Sequence, residues 1–507
     1  MTRVAKVLTA APVGYDGHLI EVESDMKNGL PALQIVGMGS KAIDEAKERV
    51  RSAISNSDLD FPAKKLVINL APAELPKDGT HYDLAIAIAI LVSSGQLKPY
   101  EVTDALFAGE LSLDGSIRAV RGIVSIAETA LRSGKGTLYV PAANLRQAEL
   151  VEGLRLIPVS SLRQLFLHLK AEATIPAHSA TMKTVGEPPT HDGPLLDDVL
   201  GQEQAKRALT IAAAGHHNIL LTGPPGAGKT MLARTLLSLM PPLTGTQRVD
   251  VTKLHSLAGE TIDDVVLERP FRSPHHTSSR VSLVGGGNPP KPGDISLAHH
   301  GILFLDEIPE YPRASLEALR QPLEDRTISI SRAAGHARYP ADFMLVATMN
   351  PCPCGFYGDN KRECTCTQTQ ILKYQQRLSG PLLDRIDLVI HVNRVDNDQL
   401  VVHKTKTSSQ HDQARSSIES ARQHQHDRYG SSVRYNANLS SKQVSTSVSL
   451  PPDVLSLLSQ AADRLGLSTR SYFKLIKVAR TIADLDGSNG ITAAHMAEAL
   501  QYRLPTS

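Results

Sequence analysis

The sequence predicts a multidomain α/β protein with a doubly wound parallel sheet, a separate α/β unit before it and a helical lid after it. Three observations predict this class. A glycine-rich loop at residues 223–230 follows an apolar strand pattern at 218–221, and a second apolar stretch at 301–305 ends in Asp306 and Glu307. Strand and helix patterns alternate near the N-terminus, and helical patterns return near the C-terminus.

Size and charge limit the functions that the chain can have. Its 507 residues exceed one hydrophobic core, which predicts several domains. The net charge is only +2 and tryptophan is absent, so any site for a polyanion must be local. The longest apolar run, residues 84–92, is too short to span a bilayer, and the N-terminus lacks a secretion signal. We therefore expect a cytoplasmic protein with no membrane partner.

The N-terminal unit comprises residues 1–172. Strand patterns at 32–36 and 66–70 alternate there with helical patterns at 41–55 and 82–92, as expected for a compact α/β domain. Residues 173–194 are rich in Pro, Thr, Ser and His and show no apolar periodicity. This composition predicts a linker between two domains.

The ATPase core is predicted over residues 195–397 and contains the phosphate-binding pattern G-x-x-x-x-G-K-[ST]. Glycines allow backbone N–H groups to close around phosphates, Lys229 supplies a cation, and Thr230 offers a hydroxyl to Mg²⁺. The pattern predicts an enzyme driven by ATP or GTP. The predicted nucleotide-binding residues are Gly223, Pro224, Pro225, Gly226, Ala227, Gly228, Lys229, Thr230 and Asp306.

Three polar residues at the ends of predicted strands complete the chemistry. Asp306 is expected to hold Mg²⁺, and Glu307 to orient or deprotonate the attacking water. Asn350 follows the next apolar strand, at 343–347, and is expected to hydrogen-bond that water or the γ-phosphate. Parallel strands deliver such groups to one edge of a sheet.

The four cysteines form two C-x-C pairs, Cys352 with Cys354 and Cys364 with Cys366. Four thiolates can close a tetrahedral zinc site, which would be structural because it leaves no open position. The usual zinc spacing is C-x-x-C, so reduced free thiols remain the alternative, and a disulfide is less expected in the cytosol.

A β-hairpin is predicted at residues 326–339, where the sequence alternates around Gly335. Arg332, His336 and Arg338 lie near its tip and are candidate DNA-binding residues. An ordinary solvated hairpin is the alternative.

Two further patterns carry less information. The Gly- and Pro-rich residues 278–294 are a second candidate loop for contacting a polymer. Doublets such as His299-His300 lack the helical i, i+4 spacing of metal ligands, so we interpret them as structural.

The C-terminal part has two sections. Residues 398–450 are rich in Ser, Gln, His and Lys and predict one exposed helix and a mobile loop. Residues 451–507 predict the helical lid: one helix ends at Gly466, Ser468 caps a second, and Thr492 caps a third.

The order of these motifs is that of AAA+ ATPases. Together with residues 272–276, 350–355 and 378–385, it closely resembles the ComM/YifB family of magnesium-chelatase-like AAA+ ATPases. The resemblance implies a homohexameric, ATP-dependent DNA translocase of helicase type. Such an enzyme acts on single-stranded and branched DNA and promotes branch migration during natural transformation. Alternatives are a motor that remodels a partner protein, as in magnesium chelatase, and a protease.

The resemblance also assigns roles to arginines. Arg385 is the candidate finger that a neighbouring subunit supplies, with Arg377 as its rival. Arg470 would touch the γ-phosphate as the second sensor of the superfamily, with Arg480 as the alternative. Ring helicases of this kind insert a hairpin into the central channel, where a few cations per subunit grip a phosphate backbone.

The N-terminal unit resembles the ribosomal-S5-like fold of Lon-type proteases, through residues 76–83 and 108–115. In those proteases a serine nucleophile and a lysine base occupy positions that here hold His81 and Val124. The resemblance therefore implies no peptidase activity, and a role in ring assembly or DNA handling.

Overall fold

The computed structural model describes residues 4–37, 41–75, 77, 79–179, 193–288, 290–332, 335–359, 361–394, 409–431 and 433–503. Most of the predicted linker lies outside the described residues, as do Pro76 and Asp78. Residues 395–408, which end the predicted ATPase core and begin the predicted exposed section, also lie outside them. Two large sheets organise the chain. Among the described residues, no helix combines the length and apolarity needed to cross a membrane.

The first sheet is mixed and has eight strands, in the order β10-β9-β8-β5-β1-β2-β4-β3. Its strands are β1 (Ala5–Val13), β2 (Asp16–Lys27), β3 (Ala32–Val36), β4 (Lys65–Ala71), β5 (Ala105–Phe107), β8 (Thr137–Pro141), β9 (Arg155–Val159) and β10 (His178–Ser179). A small ladder joins β6 (Glu110–Leu111) to β7 (Ile117–Arg118).

In the part of the chain that the structure describes, five helices accompany this sheet: α1 (Lys41–Asn56), α2 (Asp83–Ser93), α3 (Ile123–Arg132), α4 (Leu145–Ala148) and α5 (Leu162–Leu169). Every residue of α2 is buried, because this helix is apolar on all sides and packs on β1 and β2. Short 3₁₀ turns occupy Pro99–Glu101 and Ala142–Asn144. The mixed α/β unit predicted at the N-terminus is therefore present.

Strand β10 lies inside the segment that the sequence predicts as a linker. It pairs antiparallel with β9, and Ile175 just before it is buried, with its N–H bound to His168 Nδ1 at 3.0 Å. The packed unit thus extends at least to Ser179. Strand β10 consists of two polar residues and forms by pairing with β9. Such a short polar strand leaves no pattern in the sequence.

The second sheet is fully parallel and has five strands, in the order β12-β15-β18-β11-β19. Its strands are β11 (Ile219–Thr222), β12 (Phe271–Arg272), β15 (Ile302–Leu305), β18 (Met344–Met349) and β19 (Leu388–His391). Strands β11, β15 and β18 are buried along their whole length, as expected for a sheet covered on both faces. Their carboxyl ends share one edge, where the predicted site residues follow.

Within the described residues, nine helices belong to this part of the chain: α6 (Glu203–Gly215), α7 (Lys229–Leu239), α8 (Gly245–Ala258), α9 (Arg280–Val284), α10 (Asp294–Leu297), α11 (Arg313–Ala318), α12 (Arg320–Asp325), α13 (Gln368–Gln375) and α14 (Gly380–Leu383). The predicted hairpin is formed by β16 (Thr327–Arg332) and β17 (Gly335–Pro340). A second, shorter hairpin joins β13 (Gly285–Gly286) to β14 (Lys291–Pro292). Short 3₁₀ turns lie at Leu196–Asp198 and Ile308–Glu310.

The C-terminal part is helical: α15 (Gln410–Tyr429), a 3₁₀ turn (Asn436–Asn438), α16 (Ser441–Ser447), α17 (Pro452–Leu465), α18 (Thr469–Leu485) and α19 (Ala493–Gln501). Ser468 Oγ accepts from Ser471 N, and Thr492 Oγ1 accepts from His495 N, so both predicted caps are formed. Helix α15 is not simply exposed, because it packs on α6 and α18 and buries Ile418.

Candidate nucleotide-binding site

The phosphate-binding loop connects β11 to α7, which begins at Lys229. Gly226 and Gly228 have φ values of 79° and 86°, in the left-handed region that favours glycine. These two positions turn the backbone so that N–H groups at the start of α7 surround a space for phosphate. The predicted loop thus lies at the carboxyl edge of the parallel sheet.

Lys229 is buried, and its ammonium lies within the loop. Its Nζ donates to Gly223 O at 2.6 Å, to Pro224 O at 3.0 Å and to Asn350 Oδ1 at 3.0 Å. Burial lowers the pKa of Lys229, and the carboxylates of Asp306 and Glu307 oppose this shift. The cation is therefore held between the loop and the end of β18.

Asp306 follows β15 and faces Thr230 across the site. Thr230 Oγ1 lies 3.5 Å from Asp306 Oδ2, and Thr348 Oγ1 donates to Asp306 Oδ1 at 2.5 Å. Neighbouring oxygens of an octahedral Mg²⁺ with bonds of about 2.1 Å are about 3 Å apart. The hydroxyl of Thr230 and the carboxylate of Asp306 therefore fit two positions around one such ion.

Glu307 is held in an unusual backbone conformation, with φ of 50°. Its N–H donates to Thr348 Oγ1 at 2.9 Å, and its Oε1 accepts from Asn350 Nδ2 at 3.2 Å. Asn350 thereby contacts both Lys229 and Glu307. The structure brings the predicted cation, the predicted base and the predicted amide into one hydrogen-bonded chain.

Thr348 was not predicted from the sequence, although it contacts both acidic residues. It is a fully buried polar residue in β18, two positions before Asn350. Its hydroxyl fixes one oxygen of Asp306 and the backbone of Glu307. A single threonine within an otherwise apolar strand was the only signal for it.

The four cysteines converge. Cys352 Sγ lies 3.3 Å from Cys354 Sγ and 3.6 Å from Cys364 Sγ, and all four sulfur atoms lie within 4.8 Å of one another. In a tetrahedral zinc site with Zn–S bonds of about 2.3 Å, the sulfur atoms are about 3.8 Å apart. The four positions therefore fit such a site.

The cysteine-bearing loop packs against the phosphate-binding loop. Gly355 has φ of 85°, and a Cβ atom added to it would lie 2.7 Å from Pro225 Cδ. Arg394 Nη2 lies 3.5 Å from Pro225 O and its Nε lies 3.4 Å from Asp359 Oδ2. The conformation of the cysteine loop thus constrains one side of the nucleotide site.

Arg385 and Arg470 are brought together by Glu324 at the end of α12. Arg385 Nη2 binds Glu324 Oε2, and Arg470 Nη2 donates to Glu324 Oε1 at 3.1 Å. Both arginines line a cleft that also contains Lys474 and Lys477. Asp342, Asp384 and Asp387 also line this cleft, so it contains both cations and carboxylates.

The cleft lies at the opposite end of the sheet from the phosphate-binding loop. Asn218, just before β11, donates from Nδ2 to Arg385 O at 2.8 Å, whereas the loop follows the last residue of β11. Four residues of strand span about 13 Å. Arg385 and Arg470 therefore do not contact the loop of their own chain.

The two alternative arginines have other surroundings. Arg377 Nη1 donates to Glu310 Oε2 at 2.9 Å, in the turn that follows Glu307. Arg480 is 4% exposed and donates to Asp484 Oδ1, to Ser488 O and to Asn489 O. Arg480 is thus bound within the lid, and Arg377 lies near the nucleotide site of its own chain.

The hairpin of β16 and β17 has two different faces. Ile328, Ile330, Ala337 and Tyr339 are buried against the core. His336 and Arg338 alternate with them and are exposed, with Arg338 Nη2 donating to Thr327 Oγ1 at 3.1 Å. The side chain of Arg332 lies outside the described residues.

The protease-like positions of the N-terminal unit are both buried. His81 is packed against Tyr82, and burial lowers the pKa of His81 to about 4. Val124 is fully buried in α3.

Comparisons with known proteins identify the family. Models described as magnesium chelatase subunit ChlI match residues 195–400 and 22–144, and its C-terminal part matches residues 407–503. The chain is 41% identical over 505 residues to a competence protein ComM of Haemophilus influenzae, covering 99% of this chain and 97% of that protein.

Two further relatives are the YifB protein of Escherichia coli and a magnesium-chelatase 67 kDa subunit of Heliobacterium mobile. YifB is 42% identical over 499 residues, covering 98% of this chain and 96% of its own length. The 67 kDa subunit is 27% identical over 193 residues, covering 32% of this chain and 29% of its own. The chain therefore belongs to the ComM/YifB family of magnesium-chelatase-like AAA+ ATPases.

Proposed function

We propose that the chain is an ATP-driven DNA translocase of helicase type, which acts as a hexameric ring and promotes branch migration during integration of DNA in natural transformation. The observation that carries this proposal is the hairpin, whose exposed face presents His336 and Arg338 while its apolar face is anchored in the ATPase core. The similarity to a protein named for competence supports the biological setting.

The ATP site would act chiefly by positioning and by neutralising charge. Lys229 would turn from the loop carbonyls to the β- and γ-phosphates, and Asn350 would remain beside the γ-phosphate. Glu307, held by Thr348 and Asn350, would orient a water and accept its proton. Mg²⁺ held by Thr230 and Asp306 would supply positive charge to the phosphate oxygens.

Arg385 and Arg470 would act on the nucleotide of a neighbouring subunit. They lie at the end of the sheet away from their own phosphate-binding loop, in a cleft with Lys474 and Lys477. Cations there can stabilise the charge of phosphates that another chain presents. A site completed by a neighbour requires head-to-tail contacts, and such contacts form a ring when the rotation between neighbours closes.

The hairpin would grip DNA without a large net charge. One or two exposed cations per subunit, repeated around a hexamer, form a ring of positive charge facing a phosphate backbone. Ile328, Ile330 and Tyr339 fix the hairpin to the core that contains the ATP site. We assign residues 1–172 to ring assembly or DNA handling, 195–397 to ATP hydrolysis and 451–507 to the lid.

The cysteine cluster would hold a structural zinc ion. The ligands would be Cys352, Cys354, Cys364 and Cys366, whose sulfur positions fit a four-thiolate site. Their role would be to fix the loop that packs on Pro225, with no part in the reaction itself.

The decisive test measures ATP turnover and strand displacement on labelled forked and three-stranded DNA. Wild-type protein should hydrolyse ATP faster with DNA and displace a strand, and Lys229→Ala should do neither. Arg338→Ala should keep its turnover without DNA but need a higher DNA concentration for stimulation. Arg415→Ala, an exposed arginine on α15, serves as the matched control and should behave as wild type.

The second candidate is a motor that remodels a partner protein, which the matches to magnesium-chelatase subunits favour. ATP turnover that is indifferent to every DNA tested would reject the DNA proposal. Stimulation by a protein partner would then support the second candidate.

A further inference from the structure

The N-terminal unit contacts the hairpin of β16 and β17 through the turn between β1 and β2. This turn comprises residues 13–16, and we call it the brace turn. A Cβ atom added to Gly14 would lie 3.1 Å from Ala337 Cβ. Ala337 belongs to the buried face of β17, between the exposed residues His336 and Arg338. The brace turn therefore touches the hairpin on the side opposite the candidate DNA contacts.

Tyr15 fixes the brace turn to helix α8 of the ATPase core. Its hydroxyl donates to Asp250 Oδ1 at 2.7 Å, and Lys253 Nζ lies 3.8 Å from the centre of its ring. Lys253 also donates to Glu128 Oε2 of the N-terminal unit at 2.7 Å. Because burial raises the pKa of Tyr15, its hydroxyl remains a hydrogen-bond donor.

The same contacts continue to the base of the hairpin. His300 Nε2 lies 3.6 Å from Asp250 Oδ2, and the backbone N–H of His300 donates to Asp342 O at 2.7 Å. Asp342, just after β17, binds Arg326 Nη1 at 2.8 Å, and Arg326 directly precedes β16. A continuous set of polar contacts thus joins Tyr15 to both strands of the hairpin.

A metal ion is not needed to explain the cluster of Asp250, His299 and His300, whose side-chain ligand atoms lie within 4.8 Å of one another. His299 Nδ1 accepts from the backbone N–H of Asp342 at 2.9 Å. In a neutral imidazole the other nitrogen then carries the proton and has no lone pair for a metal. The cluster is better explained as a hydrogen-bonded link.

We propose that the brace turn positions the hairpin of β16 and β17. Tyr15 is the positioning residue, because it fixes the brace turn to α8. The N-terminal unit would thereby set how far His336 and Arg338 project toward DNA. This role for a unit that resembles a protease goes beyond ATP hydrolysis and, where it concerns DNA, rests on the proposed function.

The test compares Tyr15→Phe with wild-type full-length protein, and uses Tyr100→Phe as the matched control, since Tyr100 is 78% exposed in the same unit. Tyr15→Phe removes only the hydroxyl group that donates a hydrogen bond to Asp250. Amide hydrogen exchange over residues 326–342 should become several-fold faster in Tyr15→Phe and not in Tyr100→Phe. ATP turnover without DNA should be unchanged, whereas the DNA concentration for half-maximal stimulation should rise several-fold.

A pair of substitutions at the acceptor separates positioning from simple packing. Asp250→Asn keeps an oxygen that can accept from Tyr15, so its hairpin exchange should lie closer to wild type than that of Asp250→Ala. Unchanged hairpin exchange in Tyr15→Phe would overturn the proposal. If hairpin exchange becomes faster but ATP turnover does not respond to DNA, the result would instead support the positioning role of the brace turn and reject the proposed DNA function.

Discussion

At the scale of single residues, Thr348 decides how the two acidic groups of the nucleotide site are oriented. Its hydroxyl donates to Asp306 and accepts from the N–H of Glu307. Val has nearly the same shape but cannot make either hydrogen bond.

Thr348→Val should therefore lower kcat for ATP by roughly 10- to 100-fold, because small displacements of reacting groups have effects of this size. Steady-state ATP turnover measures it. Thr235→Val removes another buried hydroxyl, on α7, which donates to the preceding turn at Met231 O, and should leave kcat near wild type. An equal loss of kcat in the two variants would show that Thr348 stabilises the fold and does not act through the orientation of the acidic groups.

His299 should make the protein sensitive to acid. Burial, and then the neighbouring His300, lowers the pKa of His299 to about 3, against the opposing effect of Asp342 and Asp250. In the unfolded chain, His299 has a pKa near 6.5 and binds a proton more readily than in the folded protein. Its contribution to the free energy of unfolding is therefore complete above pH 6.5 and falls as the pH decreases toward 3. Each such group contributes about 1.4 kcal/mol per pH unit within that window.

His299→Asn keeps an acceptor for the Asp342 N–H but cannot titrate. Its loss of stability between pH 6.5 and 4.5 should therefore be smaller than that of wild type by about 2–3 kcal/mol. Chemical denaturation at both pH values measures this difference. An identical pH dependence in the two proteins would contradict the assignment.

The sequence predicted Lys229, Asp306, Glu307 and Asn350 as neighbours because strand ends of a parallel sheet share an edge, and the structure brings their side chains together. Their catalytic roles remain predictions. Thr348 and Glu324 have no motif of their own. Each obtains its partners only when distant segments pack, so local pattern could not identify them.

At the scale of helices and strands, the apolar patterns located β11, β15 and β18 of the parallel sheet within one or two residues, whereas β12 and β19 were not predicted. All three lid helices were predicted. Strand β10 and the half-buried face of α15 were missed, because both depend on contacts with distant elements. Capping residues predicted the starts of α18 and α19, because the hydroxyl of a capping serine or threonine accepts a hydrogen bond from the first turn of its own helix.

The contact between the cysteine loop and the phosphate-binding loop gives a prediction with an internal control. Gly355→Ala would place a methyl group against Pro225 at a positive φ, and should raise KM for ATP several-fold by displacing the loop. Gly358→Ala has the same backbone penalty, with φ of 79°, but its methyl group would meet no described atom within 4 Å. An equal KM for the two variants would indicate backbone strain alone.

The cysteine cluster predicts one zinc ion per chain, measured by elemental analysis of protein purified without added metal. Cys364→Ser should lose the zinc and lower the thermal midpoint, because four ligands hold a loop that otherwise has little apolar packing. Ser441→Ala, on α16, is a control far from the cluster in sequence. A metal-free wild-type protein with four titratable thiols would favour the free-thiol alternative.

At the scale of the whole molecule, the sequence predicted the order of the units but not which end of the sheet carries each arginine. The structure separates Arg385 from the phosphate-binding loop by the length of β11 and places Arg377 beside the turn after Glu307. Such an arrangement depends on how α12, α14 and the lid pack.

Mixed rings should distinguish the two arginines. If loop and finger come from different chains, as we propose, Lys229→Ala and Arg385→Ala should each be inactive alone, but random mixing of co-expressed subunits should complete about one site in four. ATP turnover should recover to about a quarter of wild type. Mixtures of Lys229→Ala with Arg377→Ala should show no comparable recovery if Arg377 serves its own chain. The reverse result would make Arg377 the finger.

Glu324 is a shared partner with too little charge for both arginines. Its one negative charge is divided between Arg385 and Arg470, which bind separate oxygens, so the group of three keeps a net positive charge. In the proposed ring, the triphosphate of a neighbouring subunit would compete with this anion for each cation. Once one guanidinium leaves, Glu324 would hold the other more tightly, because its charge is no longer shared. The two arginines would therefore be released in sequence, the second less readily than the first.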